Sequence, residues 1–243
     1  MAFASVPDKN SKKGVISKLE VSPLKPQNRA QNTLVTDRDI IKILQTSTRT
    51  LTFCNLVSCM FISSQTFSTL AQVSSLQWLC ISNNQNLQDN YAIDIIRNCT
   101  GMLHLNFSRC SKLTELTTDA IVDNLKQLES LDISCNTPMI ANFRNPSYLK
   151  NLPKLTDLDI SYCAFTDAKL VSVVKHLSAL QHLNLEACRE LTMDSLNEIL
   201  LHKETSLNKI VLYKTSIERD HQATLKQIQE AKGLALELVY HKH

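Results

Sequence analysis

Apolar and polar residues follow one arrangement again and again along this chain. Residues 155–163, Leu-Thr-Asp-Leu-Asp-Ile-Ser-Tyr-Cys, show it most clearly: apolar side chains stand at the first, fourth and sixth positions and a cysteine at the ninth. The same nine-residue pattern fits seven further segments, which begin at residues 51, 76, 102, 128, 180, 207 and 233. Successive segments start 25 to 27 residues apart, which indicates about eight structural repeats.

Each segment predicts a short strand with one apolar side. In Leu158-x-Ile160 the apolar residues alternate with polar ones, so one side of the strand meets a core and the other meets solvent. A period between 20 and 29 residues is typical of leucine-rich repeats, whose stacked coils bury one continuous core. We therefore predict an α/β fold, a leucine-rich repeat solenoid shaped as a right-handed horseshoe. Its parallel strands would line the concave side, and mostly helices would form the convex side.

The segments between the predicted strands carry helix signals. A threonine followed by an acidic residue and apolar residues at helical spacing predicts N-caps at Thr117, Thr166 and Thr192. The return at 137–154 differs because it contains three prolines, so we expect an irregular segment with only a short helix starting near Pro146. That return is either a contact loop or a tolerated insertion.

The chain divides into three parts. Residues 1–33 hold six Lys or Arg against two acidic residues, together with three prolines, and we expect a flexible basic arm there with at most a short capping strand. Thr36 predicts the N-cap of a helix within 34–50, which would cover the open end of the first coil. Residues 51–243 form the repeat domain. The arm is either a solubilising tail or a contact for phosphates or acidic lipids.

Composition excludes several classes of protein. A formal net charge of +3 is too small to indicate a nucleic-acid partner, and no apolar run reaches the length of a membrane span. Most of the eight cysteines occupy inward positions of different repeats, which favours buried free thiols and a reducing, cytoplasmic location. No Cys/His spacing suggests a metal site, and the three glycines form no phosphate-binding loop, so we expect neither metal nor cofactor.

The repeats resemble those of a known family. Their length of about 26 residues, the cysteine at the ninth position and the pair Thr166-Asp167 at the start of a return helix are similar to cysteine-containing leucine-rich repeats. Such repeats occur in the substrate receptors of F-box ubiquitin ligases, and eukaryote-like versions occur in effectors that intracellular bacteria such as Legionella secrete into a host cytosol. The resemblance covers about residues 34–243. It implies a non-catalytic horseshoe that binds proteins through its concave strands.

The chain departs from the F-box receptors at its N-terminus. Only about 35 residues precede the first capping helix, too few for an F-box, and they contain no Leu-Pro helical motif. The role of a substrate-recognition adaptor in a ubiquitin-ligase-type assembly is therefore the alternative function. The main predicted function is that of a binding module that masks, inhibits or scaffolds a partner protein.

Strand alternation identifies the residues that we expect on the concave face. Twelve of them are the candidate partner-binding residues: Phe53, Trp78, His104, Arg109, Asp132, Asp157, Asp159, Tyr162, His182, Glu186, Lys209 and Tyr213. A further row of exposed positions is expected at Ser82, Ser108, Ser134 and Ser161.

Two groups among the candidates suggest what the partner is like. Asp132, Asp157, Asp159 and Glu186 form an acidic centre on three adjacent strands, which predicts a partner protein with a basic or mixed surface. Trp78 is a hot-spot candidate, because tryptophan anchors often dominate interface energetics. The alternative is a solvated polar face, with Trp78 packed under the arm. By itself the chain is expected to be a monomer.

A distant alternative is a hydrolase. Cys80, His104 and Asp132 lie on three consecutive predicted strands, in the order of nucleophile, base and orienting acid. The open concave face offers no helix N-terminus or glycine turn that could form an oxyanion hole, so we predict a non-enzymatic protein.

Overall fold

Short parallel strands stack in chain order along the whole molecule. The computed structural model describes residues 15–21, 35–141, 146–164, 166–201, 206–217, 222–232 and 237–239. In this part of the chain, nine strands of three residues form a single sheet in which each strand pairs with the next. The strands are β1 (Lys18–Glu20), β2 (Phe53–Asn55), β3 (Trp78–Cys80), β4 (His104–Asn106), β5 (Ser130–Asp132), β6 (Asp157–Asp159), β7 (His182–Asn184), β8 (Lys209–Val211) and β9 (Glu237–Val239).

Helices return the chain between strands. They are α1 (Asp37–Thr46), α2 (Ser64–Leu70), α3 (Asp89–Asn98), α4 (Glu115–Asn124), α5 (Thr137–Ala141), α6 (Asp167–Val174), α7 (Met193–Leu201) and α8 (Gln222–Lys232), with a 3₁₀ helix at Pro146–Asn151. Consecutive helices pack on one another as α1 on α2, α2 on α3 and α3 on α4. No helix in the described ranges is long and apolar enough to cross a membrane.

The core runs as a continuous column between the strands and the helices. Leu79, Leu105, Leu131 and Leu158 lie opposite one another on successive strands, and all four are buried. Full burial of one such side chain contributes about 1.5–3 kcal/mol, so each coil depends on its neighbours to cover this row. The predicted α/β leucine-rich repeat solenoid is confirmed.

The sheet begins earlier than the repeat pattern suggested. Residues 16–21, Ile-Ser-Lys-Leu-Glu-Val, carry apolar side chains at the first, fourth and sixth positions, and Leu19 pairs with Cys54 of β2. Leu19 and Val21 are buried, so this strand is the first wall of the core. The predicted arm at 1–33 thus contains strand β1. Of this arm the structure describes residues 15–21, and its remaining residues lie outside the described part of the chain.

The last repeat is shifted by two residues from its predicted position. A start at 233 would place Leu236 beside Ile210, but the structure pairs Leu238 with Ile210, so the repeat starts at 235. A shift of two residues leaves the same side chains on the same face of a strand. Apolar alternation alone could therefore not distinguish the two registers.

Two of the three predicted threonine caps hold. The Thr166 side chain accepts a hydrogen bond from the backbone N–H of Lys169, and Thr192 caps α7 in the same way. The cap at Thr117 is wrong, since α4 begins one turn earlier after Thr114. Thr117 is buried inside the helix and donates its hydroxyl to the Asp89 carboxylate of the preceding coil.

Three aspartates tie a helix start to the next coil. In each case the carboxylate accepts hydrogen bonds from both the hydroxyl and the backbone N–H of a capping residue about 25 positions later. We call these contacts the aspartate clamps; they are Asp37 with Ser63, Asp89 with Thr114 and Asp167 with Thr192, with O–O distances of 2.6, 2.8 and 2.5 Å. Burial by itself raises the pKa of Asp37 and of Asp167. The hydrogen bonds outweigh burial, so the net pKa of both carboxyls is lowered.

The return at 137–154 is irregular, as its prolines predict. It consists of the short helix α5 and the 3₁₀ helix, which starts at Pro146. Leu149 and Leu152 of this return are buried against the strands. A small apolar cavity of about 30 Å³ is lined by Leu149 and Leu152 together with core residues of the neighbouring strands.

Candidate functional site

The outward-facing residues of the strands form two parallel rows on the sheet. The first row runs through Lys18, Phe53, Trp78, His104, Ser130, Asp157, His182 and Lys209, which lie opposite one another in register. The second row runs through Glu20, Asn55, Cys80, Asn106, Asp132, Asp159, Asn184 and Val211. Near its middle the face encloses a concavity of about 710 Å³.

Aromatic side chains occupy the N-terminal end of the first row. The rings of Phe53 and Trp78 are stacked, with centroids 4.0 Å apart and planes 11° from parallel. The Lys18 ammonium lies 4.4 Å from the centroid of the Phe53 ring, a cation–π contact from β1. The stack is therefore fixed on one side by the N-terminal strand. Trp78 stays half-buried and keeps part of its surface on the face.

The second row contributes to the fold as well as to the surface. Five of its polar side chains accept a hydrogen bond from the backbone N–H two residues later, which fixes the turn at the end of these strands: Asn55, Asn106, Asp132, Asp159 and Asn184. The amides also donate sideways. Asn106 bonds Asp132 at 2.6 Å, and Asn184 bonds Asp159 at 2.7 Å.

This ladder places two carboxylates side by side. Asp132 and Asp159 are opposite each other on β5 and β6, with an amide on the outer side of each. Burial raises the pKa of Asp132, and the neighbouring Asp159 charge raises it further, although hydrogen bonds oppose both. Like charges directly opposite on a sheet are destabilising, so a cation at this point would relieve the repulsion.

The first row adds a third carboxylate beside this pair. Asp157 accepts a hydrogen bond of 2.6 Å from the Thr156 hydroxyl, and its other oxygen lies 2.6 Å from Nδ1 of His182. Both side chains of the Asp157–His182 pair remain close to half exposed. Together with Lys209, these residues line the concavity that also contains Asp132 and Asp159.

A separate cluster lies on the rim beyond the strand ends. The Tyr162 hydroxyl donates to Glu186 at 2.6 Å, and the Lys214 ammonium lies 3.2 Å from the same carboxylate oxygen. Lys214 also contacts the ring of Tyr213, with 4.5 Å between Nζ and the centroid. We call Tyr162, Glu186, Tyr213 and Lys214 the rim cluster. Lys214 was not among the sequence candidates, because its place beside Glu186 depends on the packing of two coils.

The structure groups ten of the twelve candidates into three sets. Phe53 and Trp78 form the aromatic stack; Asp132, Asp157, Asp159, His182 and Lys209 line the concavity; Tyr162, Glu186 and Tyr213 belong to the rim cluster. His104 lies between Trp78 and Ser130 in the first row, and Arg109 is exposed on the rim. Of the four residues expected in the acidic centre, Asp132, Asp157 and Asp159 lie on strands. Glu186 lies beyond the end of β7 instead, where it forms an ion pair with Lys214.

Several positions expected on the surface are buried instead. Ser82, Ser108, Ser134 and Ser161 are less than one tenth exposed, and so is Cys80. The serines are covered because each is followed directly by a residue in the left-handed conformation, where the backbone turns inward. The alternation of faces therefore ends one residue earlier than the pattern suggested.

The hydrolase triad is not assembled. The Cys80 thiol donates to the Ser82 hydroxyl at 3.4 Å, and the Asp132 carboxylate is held by Asn106 and the backbone of Ser134. Cys80 lies opposite Asn106, whereas His104 lies opposite Trp78 in the other row. Within the part of the chain that the structure describes, the Cys80 thiol has no hydrogen bond to a histidine or a carboxylate that could act as its base.

The cysteines at the ninth positions have structural contacts. All eight cysteines are free thiols, and those at ninth positions donate to a carbonyl of the preceding coil, as Cys110 does to Ile81 and Cys188 to Ile160, both at 3.3 Å. Burial raises the pKa of Cys110 and of Cys188 to about 11, which makes them poor nucleophiles at neutral pH. In the described ranges, no three His, Cys, Asp or Glu side chains converge so that they could hold a metal ion.

The fold and its concave face define a leucine-rich repeat solenoid. No protein-family model and no curated protein matches the chain. Among solved structures, a chain from the crystal structure of the Rad7 and Elc1 complex in yeast is similar, with a TM-score of 0.59 and 16% sequence identity. The match covers 71% of this chain and 44% of that chain, so this protein spans less than half the length of its structural neighbour. At this identity the likeness concerns the fold.

Proposed function

We propose that this solenoid is a non-enzymatic module that binds another protein on its concave face. The observation that carries the proposal is the carboxylate array in the concavity. Asp132 and Asp159 face each other, no ion pair of either is seen among the described residues, and Asp157 lies beside them on β6. A lysine or arginine of the partner would offset this repulsion, so we infer a partner with a basic or mixed surface.

The aromatic stack would supply the apolar part of the interface. Phe53 and Trp78 are already held in one conformation by each other and by Lys18, so little side-chain entropy would be lost on binding. The nine strands span about 38 Å at the usual strand spacing. A face of this length can bury about 800 Å² on each partner, which is enough for a specific complex.

The proposed mechanism is steric. A rigid sheet docked on a partner masks the surface beneath it, or holds the partner beside another protein. The similar chain from yeast belongs to a complex of Rad7 and Elc1, which agrees with a role in protein assembly. An adaptor of a ubiquitin-ligase-type assembly would use the same face. Co-purification with ligase subunits would distinguish that role from masking.

The test compares a variant of the concave face, which loses an aromatic anchor and a carboxylate, with a variant of the convex side that loses two carboxylates. The concave variant is Trp78→Ala with Asp157→Asn, which keeps the shape of the carboxyl group. The convex control carries Asp94→Asn and Asp123→Asn, both exposed on helices. Each protein is immobilised and used to capture a partner from native cytosol, and the captured protein is then purified and titrated. We expect the concave variant to bind it at least about tenfold more weakly, because hot-spot truncations cost 2 kcal/mol or more.

Circular dichroism first establishes that both variants are folded. Retained binding by the convex control together with loss by the concave variant would support the concave face. Equal binding by all three proteins would refute it and direct attention to the return at 137–154 or to the basic N-terminal segment.

A further inference from the structure

Two cations flank a polar cleft on the rim between the last coils. The cleft has a volume of about 300 Å³ and is lined by Arg189, Lys214, Thr215 and Ser216. The Ser216 hydroxyl donates to the carbonyl of Leu191 at 2.7 Å and also reaches the Arg189 carbonyl, so the wall of the cleft is tied to the neighbouring coil. The shape of the cleft is therefore set by the contact between two stacked repeats.

The cations differ in how they are held. Lys214 is fixed by the rim cluster. Its hydrogen bond with Tyr162, and to a smaller extent its hydrogen bond with Glu186, raise its pKa and keep it charged. Arg189 is exposed, and within the described ranges its guanidinium has no ion-pair partner. An arginine fork and an ammonium line the same cleft, and both groups form charge-assisted hydrogen bonds with carboxylates.

Charge is also separated between the centre of the face and this rim. The concavity holds Asp132, Asp157 and Asp159, whereas the cleft holds Arg189 and Lys214. The two regions are continuous, since Asn184 bonds Asp159 through its side-chain amide and bonds the backbone of Glu186 in the rim cluster through its carbonyl oxygen. A partner that lies across both regions would contact negative charge at the centre of the face and positive charge at the rim.

We propose that the rim cleft binds Asp or Glu side chains of the partner whose basic residues occupy the concavity. This inference rests on the proposed function. It adds to the acidic concavity a second contact site, which is positively charged. Such a pair of contacts fixes the orientation of the partner along the solenoid, because a reversed partner would bring like charges together at both ends.

Two peptide probes test the cleft and the concavity separately. Hexaglutamate and hexalysine are each titrated into the ¹⁵N-labelled full chain at low salt, and amide shifts are followed by NMR. We expect hexaglutamate to shift the amides of Arg189, Lys214 and Ser216 first. Hexalysine should shift the amides around Asp132 and Asp159. Specific shifts at the cleft with hexaglutamate support the inference, and shifts spread evenly over all basic residues overturn it.

A matched pair of variants then tests which cations are responsible. The rim variant is Arg189→Ala with Lys214→Gly; Lys214 has a φ of 60°, so glycine removes the side chain without backbone strain. The control is Lys42→Ala with Arg97→Ala, two exposed cations on convex helices. Hexaglutamate should bind the rim variant about fivefold more weakly than the control, the loss expected for two exposed charges.

The two proposals can fail independently. An unchanged hexaglutamate affinity in a folded rim variant overturns the cleft, even if hexalysine still binds the concavity. Conversely, hexaglutamate binding at the cleft without hexalysine binding at the concavity would contradict the basic-partner proposal and leave an acidic partner at the rim.

Discussion

Seven residues with positive φ set the shape of the rim. They are Ser58, Asn83, Arg109, Cys135, Tyr162, Ala187 and Lys214, with φ between 55° and 60°. Each directly precedes the ninth position of its repeat, so the turn of these seven coils requires this conformation. Glycine would adopt it without penalty, and the chain places side chains there instead. As a result, Arg109, Tyr162 and Lys214 are presented in a line at the edge of the concave face.

Asparagine and cysteine both occur at the ninth positions, where each donates a hydrogen bond to a backbone carbonyl of the preceding coil. Asn136 donates its amide to the Phe107 carbonyl at 2.7 Å, as the cysteine thiols do in other coils. Its side-chain oxygen is buried and has no hydrogen-bond partner, and the same holds for Asn84. A buried acceptor left without a partner destabilises a protein by about 1–3 kcal/mol, whereas a thiol has no such atom.

We therefore expect Asn136→Cys to stabilise the protein by about 1 kcal/mol, because the thiol keeps a donor and removes the lone acceptor. Asn136→Ala should destabilise it by about 2 kcal/mol, since the Phe107 carbonyl would lose its partner and a cavity would form. Urea unfolding followed by circular dichroism measures both free energies of unfolding under reducing conditions. A cysteine variant less stable than the alanine variant would contradict the argument.

At the scale of elements, the aspartate clamps add hydrogen bonds between helices that also pack through apolar side chains. Each clamp carboxylate accepts at least two hydrogen bonds from the next coil, and each also lies in the first turn of its own helix, where the dipole favours a negative charge. Clamps occur at some coil junctions only. The α2–α3 junction has none because α2 begins with Ser64 and no acidic residue in its first turn.

The clamps predict a loss of stability in acid. The pKa of Asp37 and of Asp167 is lower in the folded protein than its usual value of 3.8, so the unfolded chain binds protons more readily. Their contribution is full above the unfolded pKa and disappears as the pH falls through the folded pKa. Asp37→Asn with Asp167→Asn should lower the free energy of unfolding by about 1–2 kcal/mol at pH 7 and flatten its decline between about pH 5 and pH 2.

Chemical unfolding at a series of pH values measures this effect. Asp94→Asn serves as the control, because Asp94 is exposed on α3 and forms no clamp. A double variant whose stability still declines with the wild-type slope would rule out the clamps as its source.

At the scale of the whole molecule, the solenoid depends on its terminal strands. Each coil contacts only its neighbours, so the first wall of the core is supplied by the short strand β1. Leu19 and Val21 are buried against Cys54 and Leu56 of the next coil, all four belonging to one core. Loss of β1 would expose that apolar surface and the unpaired edge of β2.

Leu19→Asp is expected to detach β1, because a charge cannot be buried there without a partner. The free energy of unfolding should fall by about 3 kcal/mol, and the variant should self-associate more than the wild type. Thermal unfolding and light scattering measure the two effects. Glu20→Gln on the solvent side of the same strand is the control, and a Leu19→Asp variant with wild-type behaviour in both experiments would show that β1 does not protect the sheet.

The repeat pattern was sufficient to determine the fold. The spacing of Leu131, Leu158 and Leu183 predicts parallel strands in register, because stacked coils must place equivalent side chains opposite each other. The same reasoning placed Asp132, Asp157 and Asp159 on one face, and the structure brings them into one concavity. Short-range signals also located the cap at Thr166 and the break at Pro146.

Other features depend on contacts that the pattern does not specify. The register of β9 and the membership of β1 in the sheet were decided by packing, since an apolar strand is equally good when shifted by two residues. The pairing of Glu186 with Lys214 and the cleft beside Arg189 arise from turns of adjacent coils, where side chains no longer alternate. Sequence thus determined which residues face inward along the strands, and the tertiary structure decided which polar residues meet at the rim, because that depends on the left-handed turns.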